Sequence, residues 1–315
     1  MKNEFCIRKY TPEDFQDWNS FVEKSVNGTF LHNRNFMEYH SDRFEDHSMI
    51  IENEKKILTV LPANKSENEL QSHAGLTYGG FIVDSTMTAT LMLDIFENLK
   101  KILLEMGINK FLYKAIPHIF HQHPVEQDLY AIHKNGGQLI RSDLSSVINI
   151  KYPLQPSKSK KQGIKRAQSV QLKVHESIKF TNFWIILEDR LKHAHRERPT
   201  HTLKEIEGLR EKFPNNIRLF LAKKDHIIQA GVLVFDCGIT AHVQYISSTS
   251  EGRQNGAIDL IISHLLQNVF YDRRWFDFGI STSDKGTNLN DGLVRSKEMF
   301  GARSVVFNHY YWKLS

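Results

Sequence analysis

Apolar residues at Phe15, Trp18, Phe21 and Val22 recur with helical spacing, so the chain is expected to begin with a helix. Thr11-Pro12-Glu13-Asp14 supplies its start, with Thr11 as cap and Pro12 at the first helical position. A second short helix is expected over 30–40, behind a turn at Asn27-Gly28. The period then changes to two. Residues 49–52 and 57–62 read as a hairpin around the polar Asn53-Glu54-Lys55-Lys56. A strand over 76–83 contains Gly79-Gly80, and an amphipathic helix follows over 88–106, with Leu91, Ile95, Leu99, Ile102 and Leu103 on one side. A strand at 110–115, a helix at 125–134 and a strand at 138–150 close the first half.

The second half repeats the order. Residues 217–222 and 227–235 form a hairpin across Lys223-Lys224-Asp225-His226. A strand at 240–248, a long helix at 257–271, a strand at 274–280, a short helix at 290–299 and a last strand at 304–313 follow. Gly136-Gly137 precedes the closing strand of the first half and Gly301 that of the second. Repetition on this scale means two copies of one fold, because solenoid repeats are far shorter. The length of 315 residues suits two domains of roughly 150 each. The expected class is α/β (α+β), each copy a mixed, mostly antiparallel sheet flanked by helices. The expected division is a first domain over 1–152, a connecting segment over 153–175 and a second domain over 176–315.

Composition narrows this picture only a little. Hydrophobic residues at 40% are enough for two cores, and the net charge of +5 suits an anionic ligand without requiring one. Met1-Lys2-Asn3-Glu4 opens no apolar leader, and no stretch approaches the roughly 18 apolar residues of a membrane span. Sparse cysteine, Cys6 and Cys237 only, fits a reducing cytoplasm, and a cytoplasmic location is expected. The basic run Lys158, Lys160, Lys161, Lys165 and Arg166 meets no acidic residue before Glu176. It reads either as a solvated linker and helix face or as a cationic rim for a phosphate or RNA backbone. His193 and His195 lie two apart on an expected helix and do not share a face, so no metal site is expected.

Candidate chemistry concentrates in the second copy. Trp275-Phe276-Asp277-Phe278-Gly279-Ile280-Ser281 is an apolar strand ending in small polar residues, and Lys297 lies on the helix beyond. That arrangement brings backbone donors and a cation to the mouth of a sheet, where ligands collect in α/β folds.

The element order, taken with four short stretches, resembles the GNAT acyltransferase core in tandem, as in Fem-like peptidoglycan-bridge aminoacyltransferases and BioF2-like acetyltransferases. The stretches are Thr29-Phe30-Leu31-His32-Asn33-Arg34-Asn35-Phe36, Tyr78-Gly79-Gly80-Phe81-Ile82-Val83-Asp84, Gly163-Ile164-Lys165-Arg166-Ala167 and the C-terminal run. The resemblance implies an N-acyltransferase whose second domain holds the transfer site, with acyl-CoA as donor and an amine of a small molecule, sugar or envelope precursor as acceptor. An aminoacyl-tRNA donor acting on a peptidoglycan precursor, or a catalytically silent anion-binding protein with the same duplicated fold, are the alternatives.

Residue by residue, the resemblance implies donor-phosphate contacts from Gly252, Arg253, Asn255 and Gly256, at a helix start with free backbone amides. It implies acceptor contacts from Arg34, Arg196, Arg198 and Lys297. His40 stands where Fem enzymes carry a phosphate-holding lysine, and that departure shifts weight from a nucleotide-linked precursor. Acyl transfer to an amine needs a neutral amine, a polarised carbonyl and a protonated leaving group. Tyr245 is a candidate proton donor to the leaving group, Asp277 a base or amine-orienting carboxylate, and Ser281 a further catalytic candidate. His242 is expected to share a face with Gln244, opposite Val243 and Tyr245. Each has a bland alternative, a core hydroxyl, a structural hydrogen bond or a solvent lysine. No cysteine nucleophile is expected, since Cys237 falls at a predicted hairpin turn.

Overall fold

A computed structural model describes residues 4–195 and 198–314. The chain divides into two compact units. The first is Met1–Asp143, Ser283–Asn288 and Val306–Ser315, and the second is Leu144–Thr282 and Leu289–Val305. The expected boundary after residue 152 therefore lies inside the second unit, and the C-terminal residues from Val306 return to the first.

In the first unit β1 (Cys6–Lys9) leads into helix α1 (Phe15–Lys24), preceded by a single 3-10 turn over Pro12–Asp14 whose cap is Thr11. The expected helix over 30–40 is instead two 3-10 turns flanking α2 (Arg34–Met37). After β2 (Glu45–Asp46), strands β3 (Met49–Asn53) and β4 (Lys56–Leu61) form the hairpin, and β5 (Asn64–Ser66) and β6 (Glu69–Gln71) a second one. Only Ile82–Val83, β7, is extended within the expected strand at 76–83. The reason is Gly79-Gly80. A side chain on Gly79 would meet the Ser72 carbonyl oxygen at 2.2 Å, and Gly80 has φ +87° beside the Tyr113 hydroxyl.

Helix α3 (Ala89–Glu105), capped by Thr88, then packs Met92, Ile95, Phe96, Leu99 and Leu103 into a core that includes Phe111 of β8 (Lys110–Lys114) and Ile132 of α4 (Gln127–Lys134). Phe96 and Trp312 approach to 5.5 Å in the same core.

Strand β9 (Gln138–Asn149) enters the second unit. Helix α5 (Lys158–Ser169), β10 (Lys173–Ser177), α6 (Thr181–His195) and α7 (Leu203–Lys212) precede the strands β11 (Ile217–Lys224), β12 (Ile227–Asp236) and β13 (Thr240–Ser248). Helices α8 (Ser250–Asn255) and α9 (Ala257–His264) follow, then a π-helical turn over Leu265–Val269 and β14 (Trp275–Ile280). The short β15 (Thr282–Ser283) and β16 (Asn288–Leu289), helix α10 (Asp291–Glu298) and β17 (Arg303–Lys313) end the chain. The sheet of this unit runs β10-β11-β12-β13-β14-β9, antiparallel except between β13 and β14.

The closing strands are exchanged. Residues Ser145 to Asn149 of β9, the end of the first copy, pair with β14 in the second unit. Residues His309, Tyr310, Tyr311, Trp312 and Lys313 of β17, the end of the second copy, pair with β8 in the first. Each copy thus finishes the sheet of the other.

Candidate functional site

In the second unit β13 and β14 pair at three positions only, Thr240 with Trp275, Ala241 with Phe276 and His242 with Asp277. Beyond them β13 continues beside β12 to Ser248, while Ile280 of β14 pairs with Ser145 of β9. Parallel strands that pair and then part open a notch at their C-terminal ends. A bulge shapes its wall. Val234 faces Val243 and Leu233 faces Tyr245, which leaves Gln244 as an extra residue in β13. His242 faces Phe235, and Phe235 and Leu233 are two apart on β12, so His242 and Tyr245 share one face. Strict alternation puts them on opposite faces, and the bulge corrects that expectation.

Asp277 is fully buried, with neighbours Phe276 and Phe278 turned to the opposite side into the apolar core. Its carboxylate accepts hydrogen bonds from the Ser145 hydroxyl and from the Gly279 amide at 2.9 Å, and lies 2.7 Å from His242 Nδ1. Burial alone would raise its pKa. The donors from His242, Ser145 and Gly279 outweigh burial and hold it below the usual carboxylate range. An ionised carboxylate can only accept, so Nδ1 carries a hydrogen towards Asp277, and in the neutral ring that leaves the lone pair on Nε2. Sequence reasoning reaches His242 and Asp277 but misses Ser145. The available signal is the adjacent pair Ser145-Ser146 inside a strand end that is otherwise apolar.

Tyr245 lies edge-on to Trp184, and its hydroxyl accepts from the His201 amide at 3.2 Å and stands 2.8 Å from His201 Nδ1. Burial raises its pKa. Ser281 is buried, and its hydroxyl lies 2.8 Å from Lys297 Nζ. Lys297 also donates to the Gly279 and Ile280 carbonyls at 2.7 and 2.9 Å, and burial pushes its pKa down to about 8. Its ammonium thus clasps the turn after β14. Among the expected site residues, the structure brings Asp277, Ser281 and Lys297 together around Gly279.

The stretch over 250–256, between the expected strand at 240–248 and the expected helix from 257, is itself helical up to Asn255. Thr249 caps α8 by accepting from the Gly252 amide at 3.0 Å, the Arg253 amide donates to the Thr249 carbonyl, and the Gly256 amide to the Arg253 carbonyl. Arg253 donates to the Ser248 carbonyl and the Ser250 hydroxyl, and Asn255 to the Gln229 side chain. Gly252 rests on the Gln229 carbonyl, and Gly256, with φ +76°, rests on Gly163.

In the first unit Arg34 is buried over the Tyr10 ring at 3.8 Å, ion-paired to Glu38 at 3.1 Å and to Asp46. His40 is buried against Tyr39, Phe44 and His73. Burial lowers its pKa. Arg198 is exposed in the second unit, and Arg196 lies outside the described residues. Cys237 is buried between β12 and β13. Among the described residues no group of three or more His, Cys, Asp or Glu is placed to hold a metal, and no helix is long and apolar enough to cross a membrane.

With this geometry the chain can be set beside known proteins. No family model matches it, and no curated protein does. Solved structures do. The crystal structure of FemX superposes with a TM-score of 0.70 at 12% identity, covering 98% of this chain and 97% of that one. L-PGS from Bacillus licheniformis gives 0.64 at 12% identity, over 98% and 93%. A tandem GNAT protein from the clavulanic acid biosynthesis pathway gives 0.51 at 9% identity, over 99% of each chain. The fold is the tandem GNAT fold. At these identities the likeness speaks to architecture, and the chemistry rests on the residues at the notch.

Proposed function

We propose that this protein is an acyltransferase of the GNAT-like, Fem-like kind, moving an acyl or aminoacyl group from an activated carboxyl donor to an amine of an envelope precursor or related small molecule. The observation that carries the reading is the buried Asp277 holding His242 where β13 and β14 part. In this mechanism the amine nitrogen attacks the donor carbonyl carbon and a C–N bond forms. His242 Nε2 takes the proton lost by the amine, and the Asp277 carboxylate stabilises the positive charge arriving on the ring. The C–S bond of a thioester, or the C–O bond of an ester, then breaks, and the departing sulfur or oxygen takes up the proton that His242 Nε2 returns. No covalent enzyme intermediate is needed. Lys297 and Ser281 act by fixing the Gly279–Ser281 turn at the notch rather than by holding an anion.

The donor is a coenzyme A thioester or an aminoacyl-tRNA ester. The amides of Gly252, Arg253 and Gly256 are used within and around α8, which weighs against a pyrophosphate seat at those residues. The test is mass-spectrometric detection of acyl transfer to a panel of amines, with acetyl-CoA and charged tRNA as parallel donors. Transfer that His242→Ala abolishes with folding intact supports the reading. Transfer unaffected by that change removes His242 from the mechanism, and failure of both donors to react or to raise the melting temperature sinks the transferase reading.

A further inference from the structure

The second unit holds another cavity, on the face of the sheet opposite His242. Its volume is about 360 Å³, within the range of small-ligand pockets. Ile148 and Ile150, Ile164 of α5, Ile262 and Leu266, and Phe300 make its apolar wall. Ile148 pairs with Phe276, and both belong to the apolar core on the side of α9, so the cavity is separate from the notch. Among its lining residues Lys160 Nζ is ion-paired to Asp259 at 2.8 Å and sits 4.0 Å from the Phe300 ring centre. Lys161, which also lines the cavity, donates to Gln155 at 3.1 Å.

Two features of the surroundings say what kind of molecule fits. Lys158, Lys161 and Lys165 form an i, i+3, i+7 stripe along α5, with Arg166 beside it, and all four are exposed. No acidic residue occurs from 151 to 175 to balance them. Beside the cavity, Tyr152 is 81% exposed and Leu154 47% exposed, on the segment that lines it from Pro153 to Pro156. Exposed aromatic and aliphatic side chains flanked by unbalanced lysines, above an apolar cavity, match an anionic bilayer surface. The lysines meet the headgroups, Tyr152 and Leu154 enter the interface, and the cavity accepts part of one acyl chain. A nucleic acid would use the same cations but has no use for the apolar cavity, and Tyr152 alone makes no stacking track.

We infer that the α5 face of the second unit is a docking site for an anionic phospholipid surface, with a cavity for one lipid chain. It is independent of the chemistry assigned to His242. The experiment is co-sedimentation of the full chain with vesicles of phosphatidylcholine alone and of phosphatidylcholine mixed with phosphatidylglycerol in equal parts, with tRNA as competitor. The protein is expected on the mixed vesicles only and to be released by salt. Replacing Lys158, Lys161, Lys165 and Arg166 by Gln should weaken partitioning by roughly fivefold per charge. Tyr152→Ser with Leu154→Ser should weaken it about tenfold or more. Ser263→Trp, which fills the cavity from its wall, should weaken it with the melting temperature unchanged. Failure to bind mixed vesicles overturns the inference. Binding that needs the charges but ignores Tyr152, Leu154 and Ser263 shows mere adsorption to a polyanion and overturns it as well. Displacement of the vesicles by tRNA at lower concentration than lipid assigns the face to nucleic acid instead.

Discussion

Among the buried aspartates, Asp128 of the first unit and Asp277 of the second each have an aromatic hydrogen-bond partner, and their pKa values move in opposite directions. In the first unit Asp128 of α4 accepts a hydrogen bond from the Tyr113 hydroxyl, which in turn accepts from the Phe81 amide at 3.0 Å. Burial dominates there, and the Asp128 pKa rises to about 6 despite the tyrosine and the helix amides. In the second unit Asp277 is just as deep, yet its pKa falls, because an imidazole, a serine and a glycine amide all donate to it. Depth does not decide the direction of the shift. What decides it is whether the surrounding groups offer enough donors, and a chargeable one among them, to replace water. One aspartate is therefore a core group carrying a cost at neutral pH, and the other is a fixed negative charge beneath a histidine.

The largest effect should separate the two by activity. His242→Ala or Asp277→Asn is expected to lower transfer by about 10²- to 10⁴-fold, measured as kcat with the best donor and acceptor. Asp128→Asn should leave kcat within a few-fold. Equal losses from Asp128→Asn and Asp277→Asn would erase the contrast.

Stability comes next. Asp277→Asn keeps one oxygen for the Ser145 and Gly279 donors, turns its NH₂ towards His242 Nδ1, and should cost about 2 kcal/mol near pH 7, read by denaturant unfolding. Because the folded pKa of Asp277 lies below its unfolded value, its stabilisation is present above about pH 4 and fades as pH falls through the folded value. The gap between variant and parent should accordingly shrink in acid.

Lys297→Met should be of similar or smaller size, about 1–3 kcal/mol, since it strips the Gly279 and Ile280 carbonyls and the Ser281 hydroxyl of their shared donor. It should also lower kcat with little change in KM if the clasp serves only to hold the turn. A rise in KM alone would instead mark Lys297 as a substrate contact.

The smallest effect should carry the opposite sign. A folded pKa of about 6 means that Asp128 loses stability for the protein as pH rises from about 4 to about 6, with a level plateau above. Asp128→Asn should flatten that fall and be neutral or stabilising by about 1 kcal/mol at pH 8. A variant less stable than the parent at pH 8 would show that the Tyr113 bond, not the burial, dominates.

Much of this arrangement is legible in the residues. Hairpins, long helices and the strand at Thr240–Ser248 follow from period and turn chemistry, and Thr11 marks its helix start as expected. Asp277 is readable as a polar residue in an apolar strand, whereas Lys297, expected as an anion contact, lies on a polar helix that gives no sign of its clasp on the Gly279–Ser281 turn. The bulge at Gln244 is not, since one inserted residue leaves no mark in an alternating pattern while reversing every side chain beyond it. Ser250–Asn255 reads as a loop because Gly252 suggests one. The glycine is there for close packing on the Gln229 carbonyl, and Thr249 is the cap that marks a helix instead. The partners of β9 and β17 lie beyond local reading altogether, because periodicity says that a strand exists and not which neighbour it will find.

That exchange bears on how the protein is made. The first unit lacks Tyr310 and Trp312 of its core until β17 has left the ribosome, after the whole of the second unit's sheet, since both belong to that strand. Its β8 remains without that neighbour until then. A first unit that must await β17 cannot finish folding before the second is made, as domains in tandem usually do. Synthesis should therefore leave a long interval with an open strand edge on β8, and β17 acts as the closing step for a domain begun with β1.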